Sequence, residues 1–270
     1  MNSLHLHILG SGSKGNCALV EGPEGLIMID NGFSRREVLR RMHELGLSEA
    51  DVVALVLTHE HSDHVSGLGV WCNKWQGPLF ASTGTPQQRK YLANLPFEEL
   101  DPGASFFLGP VRVDTFATSH DVVNPMGFRF SCNGDSIGYA TDTGTLSSQA
   151  MEALRDVRIL ALESNHDVPM LRTGSYPRYL QDRILSDTGH LSNEQAAQAA
   201  TTLVTPRTQH LIAMHISQEN NRPSLAVRGF AAALGATLDN ELGSSATLER
   251  GDGEPLHIQA AGQNRPITVA

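Results

Sequence analysis

Residues 58–64 read Thr-His-Glu-His-Ser-Asp-His and place His59, His61, Asp63 and His64 within six positions. Imidazole and carboxylate together form a strong donor set for a divalent transition metal. The cluster follows Val52-Val53-Ala54-Leu55-Val56-Leu57, an apolar run of buried-strand character whose rigid end would fix the donors. His59 and His61, two apart, project to one side of an extended chain, and Asp63 and His64 turn toward a second position beside the first. Near-adjacent residues wrap one tetrahedral ion poorly, so the spacing suggests two ions sharing one site. Divalent ions activate water at neutral pH and offset developing charge, and metal-dependent hydrolysis is the chemistry expected.

More candidate donors follow other strand-like runs. His120 comes after residues 111–117, Asp142 after Ser136–Thr141, Glu163 after Arg158–Leu162 and His215 after His210–Met214. Taken singly they are weak signals: a histidine past a strand is more often structural, and Asp142 before Gly144 is also what a turn uses. Their recurrence just past strand ends is the organising feature.

The elements that must position them are legible in part. Leu4–Leu9, Asn16–Val20 and Leu26–Ile29 read as strands, the last ending at Asp30. Gly10, Gly12 and Gly15 match a dinucleotide-binding G-x-G-x-x-G, but a hairpin follows where that motif needs a helix, so the match is rejected. Ser34 and Glu37 begin a helix with Val38, Leu39, Met42 and Leu45 on one face, stopped by Gly46. Residues 79–81 and 127–132 read as further strands. Ser192-x-x-Gln195 caps an alanine-rich helix, another runs from about Leu225 to Leu234, and two weak strands end the chain. The order predicts an α/β fold of two β-sheets packed face to face with helices outside. Residues 1–270 are expected to form one domain of two αβ halves, with a boundary near 150.

Composition narrows the classes. The chain is 40% hydrophobic and 18% charged, as soluble globular proteins are. It shows no signal-peptide start and no apolar run long enough for a bilayer, so no membrane partner is expected. Three dispersed cysteines, Cys17, Cys72 and Cys132, fit packing roles in a reducing cytoplasm rather than a disulfide framework. A formal charge of −9 argues against a broad grip on nucleic acid without excluding a nuclease, whose metal ions and local arginines supply the positive field. Nothing in the sequence specifies an oligomeric state.

The series His59-x-His61-x-Asp63-His64, His120, Asp142, His215 resembles the ligand series of the metallo-β-lactamase fold superfamily over essentially the whole chain. The resemblance implies a four-layer αββα sandwich and two divalent ions, zinc or manganese. It assigns His59, His61 and His120 to one ion and Asp63, His64 and His215 to the other, with Asp142 bridging. Asp63 then belongs to the catalytic residues as well as to the ligands. Asp30 resembles the superfamily's first motif, an aspartate that orients the ligands from behind. Two ions and two carboxylates leave a charge of +2, which a hydroxide and one phosphodiester anion bring to zero, so an anionic ester suits the site.

Ala161-Leu-Glu163-Ser-Asn-His166-Asp and Gly189-His190-Leu-Ser-Asn resemble motifs of ribonuclease Z-like members, which implies that Glu163 and His190 act together in protonating the leaving oxygen. Capping or packing is the alternative for this pair. His166 is a candidate contact for substrate or metal. With Gly-Ser-Gly-Ser-Lys-Gly-Asn near the start and His215-Ile-Ser-Gln-Glu-Asn-Asn221, these stretches are similar to the bacterial YycJ/WalJ group. That resemblance implies a cytoplasmic 5′-to-3′ DNA exonuclease using a metal-bound hydroxide. Only 26 residues separate Glu163 from His190, too few for an inserted cap domain. This stretch carries Arg172, Arg178 and Arg183 with Tyr176 and Tyr179, suited either to phosphates and stacked bases or to a solvated helix. His5, His7, His43 and His257 are expected to be surface or structural residues. The alternatives are a small-molecule hydrolase of the same fold, acting on a thioester, lactone or cyclic nucleotide, and a non-hydrolytic metal-binding module.

Overall fold

The computed structural model describes residues 3–251 and 253–270. They divide into two compact units. The first holds the chain up to Ala117, Val122–Asp135 and Gln263–Ala270; the second holds Thr118–Asp121 and Ser136–Gly262. The main passage between them is at Asp135/Ser136.

In the first unit, β1 (His5–Gly10), β2 (Cys17–Gly22) and β3 (Gly25–Ile29) form an antiparallel meander. The hairpin stands where a dinucleotide site would need a helix. Parallel strands β4 (Val52–Val56), β5 (Leu79–Ser82) and β6 (Phe97–Leu100) extend the sheet from β3. Ile267–Val269 closes the other edge against β1. A second meander joins β7 (Ser105–Leu108), β8 (Val111–Ala117) and β9 (Met126–Cys132). Helix α1 (Arg35–Glu44) starts where the Ser34 hydroxyl accepts from Glu37 N–H, and it buries Val38 and Met42. Two short helices, α2 (Ser62–Val65) and α3 (Leu68–Cys72), follow the histidine-rich segment. Leu9, Leu19, Met28, Leu55, Leu57 and Trp71 meet in this unit's core.

The second unit has a mixed sheet. Strands β10 (Asp135–Ala140), β11 (Ile159–Glu163) and β12 (His210–Met214) are parallel, and Leu256–Ala260 continues them in the same direction. Ser245–Leu248 and Thr237–Leu238 then pair antiparallel at the edge. Every residue of β11 is buried, which fits the unbroken apolar run of a strand covered on both faces. Helices α4 (Ser148–Leu154), α5 (Val168–Thr173), α6 (Arg178–Ile184), α7 (Asn193–Leu203) and α8 (Pro223–Leu234) belong to this unit. Ser192 and Gln195 form the reciprocal capping box at the start of α7. No helix among the described residues is long and apolar enough to cross a membrane.

Parallel pairing brings the chemically interesting residues together within each unit. Ile29 is level with Val56, so Asp30 and the segment from Thr58 emerge from one sheet edge. Ala140 is level with Leu162, and Glu163 with Met214, so Asp142, Glu163 and His215 also share an edge. Ligand sites of parallel sheets form at such carboxyl ends.

Candidate active site

In the first unit, Asp30 is fully buried and its carboxylate is the hub. Oδ1 accepts from Thr58 N–H at 2.8 Å, while Oδ2 accepts from the Thr58 hydroxyl at 2.8 Å and from His64 Nδ1 at 2.7 Å. A carboxylate on Nδ1 fixes the imidazole tautomer with Nε2 as the available donor, the arrangement typical of metal-ligating histidines. His64 Nε2 lies 3.5 Å from Asp63 Oδ2. The Asn16 side-chain amide reaches both, at 3.1 Å to Asp63 Oδ2 and 3.0 Å to His64 Nε2. The His59 ring lies 4.9 Å from that of His61 and 4.1 Å from that of His64, between ring centroids.

Backbone contacts clamp this turn. Asn16 N–H donates to the Asp63 carbonyl at 2.7 Å, and Gly32 N–H donates to the Asn16 carbonyl at 2.9 Å. A Cβ on Gly32 would lie 1.6 Å from the Asp63 carbonyl oxygen, so only glycine allows the approach.

In the second unit, Asp142, Glu163, His190 and His215 offer donor atoms all within 4.8 Å of one another. Glu163 is fully buried. Its Oε1 accepts from His190 Nδ1 at 2.7 Å and lies 3.0 Å from His215 Nδ1. Its Oε2 accepts from the N–H groups of Thr143 at 2.8 Å and Leu191 at 3.2 Å. Burial alone would raise this carboxyl, but His190 and His215 hold it well below the usual carboxylate range. His120 Nδ1 donates to the Gly189 carbonyl at 3.0 Å, leaving Nε2 3.9 Å from Asp142 Oδ1. Burial lowers the His120 imidazole below its ordinary value although Asp142 opposes this. A neutral ring with Nδ1–H occupied is again the form that binds a metal through Nε2.

Asp30, Asp142 and His215 share a left-handed backbone, with φ of 57°, 56° and 52°. Non-glycine residues enter this region uncommonly, aspartate and histidine more readily than most. Each lies at or just past a strand end, where the turn redirects its side chain. Such conformations persist where surrounding contacts over-determine them, and they gather at functional sites.

The asparagines of the second unit were not singled out from sequence, although the motifs containing them were. The Asn165 side chain donates to the His215 carbonyl at 2.8 Å. The Asn221 amide reaches the carbonyls of Ser164 and Asn165 and Asn193 Oδ1, at 2.9 to 3.0 Å. One buried polar lattice therefore joins the segments carrying Glu163, His190 and His215. His166 is also buried here, and neither of its ring nitrogens has a hydrogen-bond partner among the described residues; burial pushes its imidazole down to about 4. The substrate-contact candidates Arg172 and Arg178 are exposed on α5 and α6. Arg172 pairs with Asp182 at 2.9 Å, and Arg183 pairs with Asp121.

The donor sets fit divalent ions. His64 and His120 have Nδ1 committed to an oxygen behind the ring, and carboxylates lie near the opposite nitrogen. When bound, such ions supply an activated water and charge neutralisation.

Comparison with known proteins places these features in a family. The model of the Beta-lactamase superfamily domain matches residues 26–216. The exodeoxyribonuclease YycJ of Bacillus anthracis is 38% identical over 229 residues, which cover 83% of this chain and 86% of that protein. The exodeoxyribonuclease WalJ of Streptococcus pneumoniae is 36% identical over 225 residues, covering 81% and 84%. The solved structure of the metallo-β-lactamase fold protein YhfI from Bacillus subtilis aligns with 99% of this chain and 100% of its own, with a TM-score of 0.68 at 12% identity. This chain therefore belongs to the β-lactamase superfamily and is a hydrolase with the α/β sandwich of the metallo-β-lactamase fold.

Proposed function

We propose that the protein is a dinuclear metal-dependent phosphodiesterase and, more narrowly, a cytoplasmic 5′-to-3′ DNA exonuclease. In this reading His59, His61 and His120 hold one ion, Asp63, His64 and His215 the other, and Asp142 both; zinc or manganese suits the donors. The observation that carries the reading is the Glu163–His190 pair. A fully buried carboxylate, held ionised, fixes the Nδ1–H of a half-buried histidine beside Asp142. A histidine so held presents Nε2 to a leaving oxygen and can deliver a proton there. Glu163, whose two oxygens are already engaged, works through His190 and His215 rather than on substrate.

The restriction to DNA rests on the two relatives named as exodeoxyribonucleases. Arg178 and Arg172 would take backbone phosphates. Arg172 is held by an exposed pair, and such pairs contribute little, so a phosphate can replace Asp182. Tyr179, 75% exposed, offers a stacking face.

The test is hydrolysis of single- and double-stranded DNA, matched RNA and a thioester by Mn²⁺-loaded protein. Release of nucleotides from DNA supports the reading. Intact nucleic acid with turnover of the thioester would replace it with small-molecule hydrolysis.

A further inference from the structure

A second group of metal-type donors lies in the first unit, away from Asp30 and His64. His5 and His7 alternate on β1, so both rings leave the same face of the strand. Glu21 on β2 is directly opposite His5. Its Oε2 lies 3.1 Å from His5 Nδ1 and 3.1 Å from His7 Nε2. The donor atoms of all three residues lie within 4.8 Å of one another. Tetrahedral zinc with bonds of about 2.0–2.1 Å separates its ligands by about 3.3 Å, close to the 3.1 Å between Glu21 Oε2 and each imidazole nitrogen.

The surroundings suit an ion better than a chance pair. His7 is 3% exposed. Its Nδ1 lies 2.9 Å from the hydroxyl of Thr268, which faces it from the C-terminal strand. A hydroxyl can accept from Nδ1–H, which frees Nε2 as a donor and orients the ring. His5 and Glu21 are half-exposed, so a fourth position is open to water. The loop bearing Asn16 begins beyond Gly10, five strand steps from His5, or about 16 Å.

We propose that His5, His7 and Glu21 form a peripheral site for a divalent transition metal, with Thr268 orienting His7. Two imidazoles and one carboxylate select Zn²⁺ or Co²⁺ over Mg²⁺ or Ca²⁺. An ion there ties β1 to β2 directly and to the strand Ile267–Val269 through Thr268, so its role is to fasten β1 to its two neighbours in the sheet.

The experiment is equilibrium dialysis of the full-length protein against Co²⁺, followed by elemental analysis and visible spectroscopy. His5→Ala and Glu21→Gln are compared with the wild type, and circular dichroism verifies their folding. The wild type is expected to hold one equivalent more than either variant and to show the corresponding tetrahedral Co²⁺ absorption. Its melting temperature should rise with Co²⁺ more than theirs. The variants should keep the hydrolytic activity of the wild type. Equal Co²⁺ content and equal spectra in the three proteins would overturn the site.

Discussion

Glu163 Oε1 meets His190 Nδ1 at 2.7 Å and His215 Nδ1 at 3.0 Å, so one buried carboxylate oxygen orients two imidazoles. The two rings have different tasks in the proposed reaction, with His215 on a metal and His190 on the leaving oxygen. Their shared anchor couples the ligand field to proton delivery.

His190→Ala should therefore lower the rate by about 10²–10⁴-fold while metal content stays that of the wild type. Elemental analysis beside single-turnover kinetics checks this. Full activity would mean that His190 only packs or caps, and lost metal would make it a ligand.

Asp30→Asn replaces an acceptor-only group on His64 Nδ1 with one that no longer favours the Nε2 donor tautomer. Metal affinity should weaken by about 10–100-fold without loss of fold. Competition with a chromophoric chelator measures it.

Gly32→Ala forces a Cβ into the Asp63 carbonyl, a backbone atom that the Asn16 N–H also holds. We expect destabilisation of about 3 kcal/mol, read as a lower urea midpoint. Gly69→Ala in α3, where the nearest atom is 3.8 Å away, is the tolerated control.

His166 gives the pH prediction. Its imidazole is pushed down to about 4, from 6.5 in the unfolded chain. Between these values the unfolded chain binds more protons, so this contribution is fully present above pH 6.5 and is lost as pH falls toward 4. Urea unfolding of metal-free protein across that range should lose this part of the slope in His166→Gln. An unchanged slope would assign the acid sensitivity to other groups.

What the sequence revealed divides along contact distance. His59, His61, Asp63 and His64 stand in one short segment after an apolar strand, so their nearness needed no folding information. The capping signals at Ser34 and Ser192 are equally local, and both helices begin there. Asn16 reaches Asp63 across 47 positions and Asn221 reaches Asn165 across 56; amides give no local signal of such partners. Strand β6 went unread because Phe-Glu-Glu-Leu lacks alternation, and its two glutamates are exposed. Short helix α5 has too few turns for a visible period. The ion pair of Arg172 with Asp182, ten residues on, also lies outside any local pattern.

The most direct measurement of the central claim is a time course on 5′-phosphorylated DNA labelled at either end, with Mn²⁺-loaded protein beside Asp142→Ala. The account predicts early release of the 5′ label as mononucleotide and stepwise shortening of the 3′-labelled strand, with neither in the variant. DNA left intact by wild-type protein that holds two ions, or equal digestion by Asp142→Ala, would contradict it.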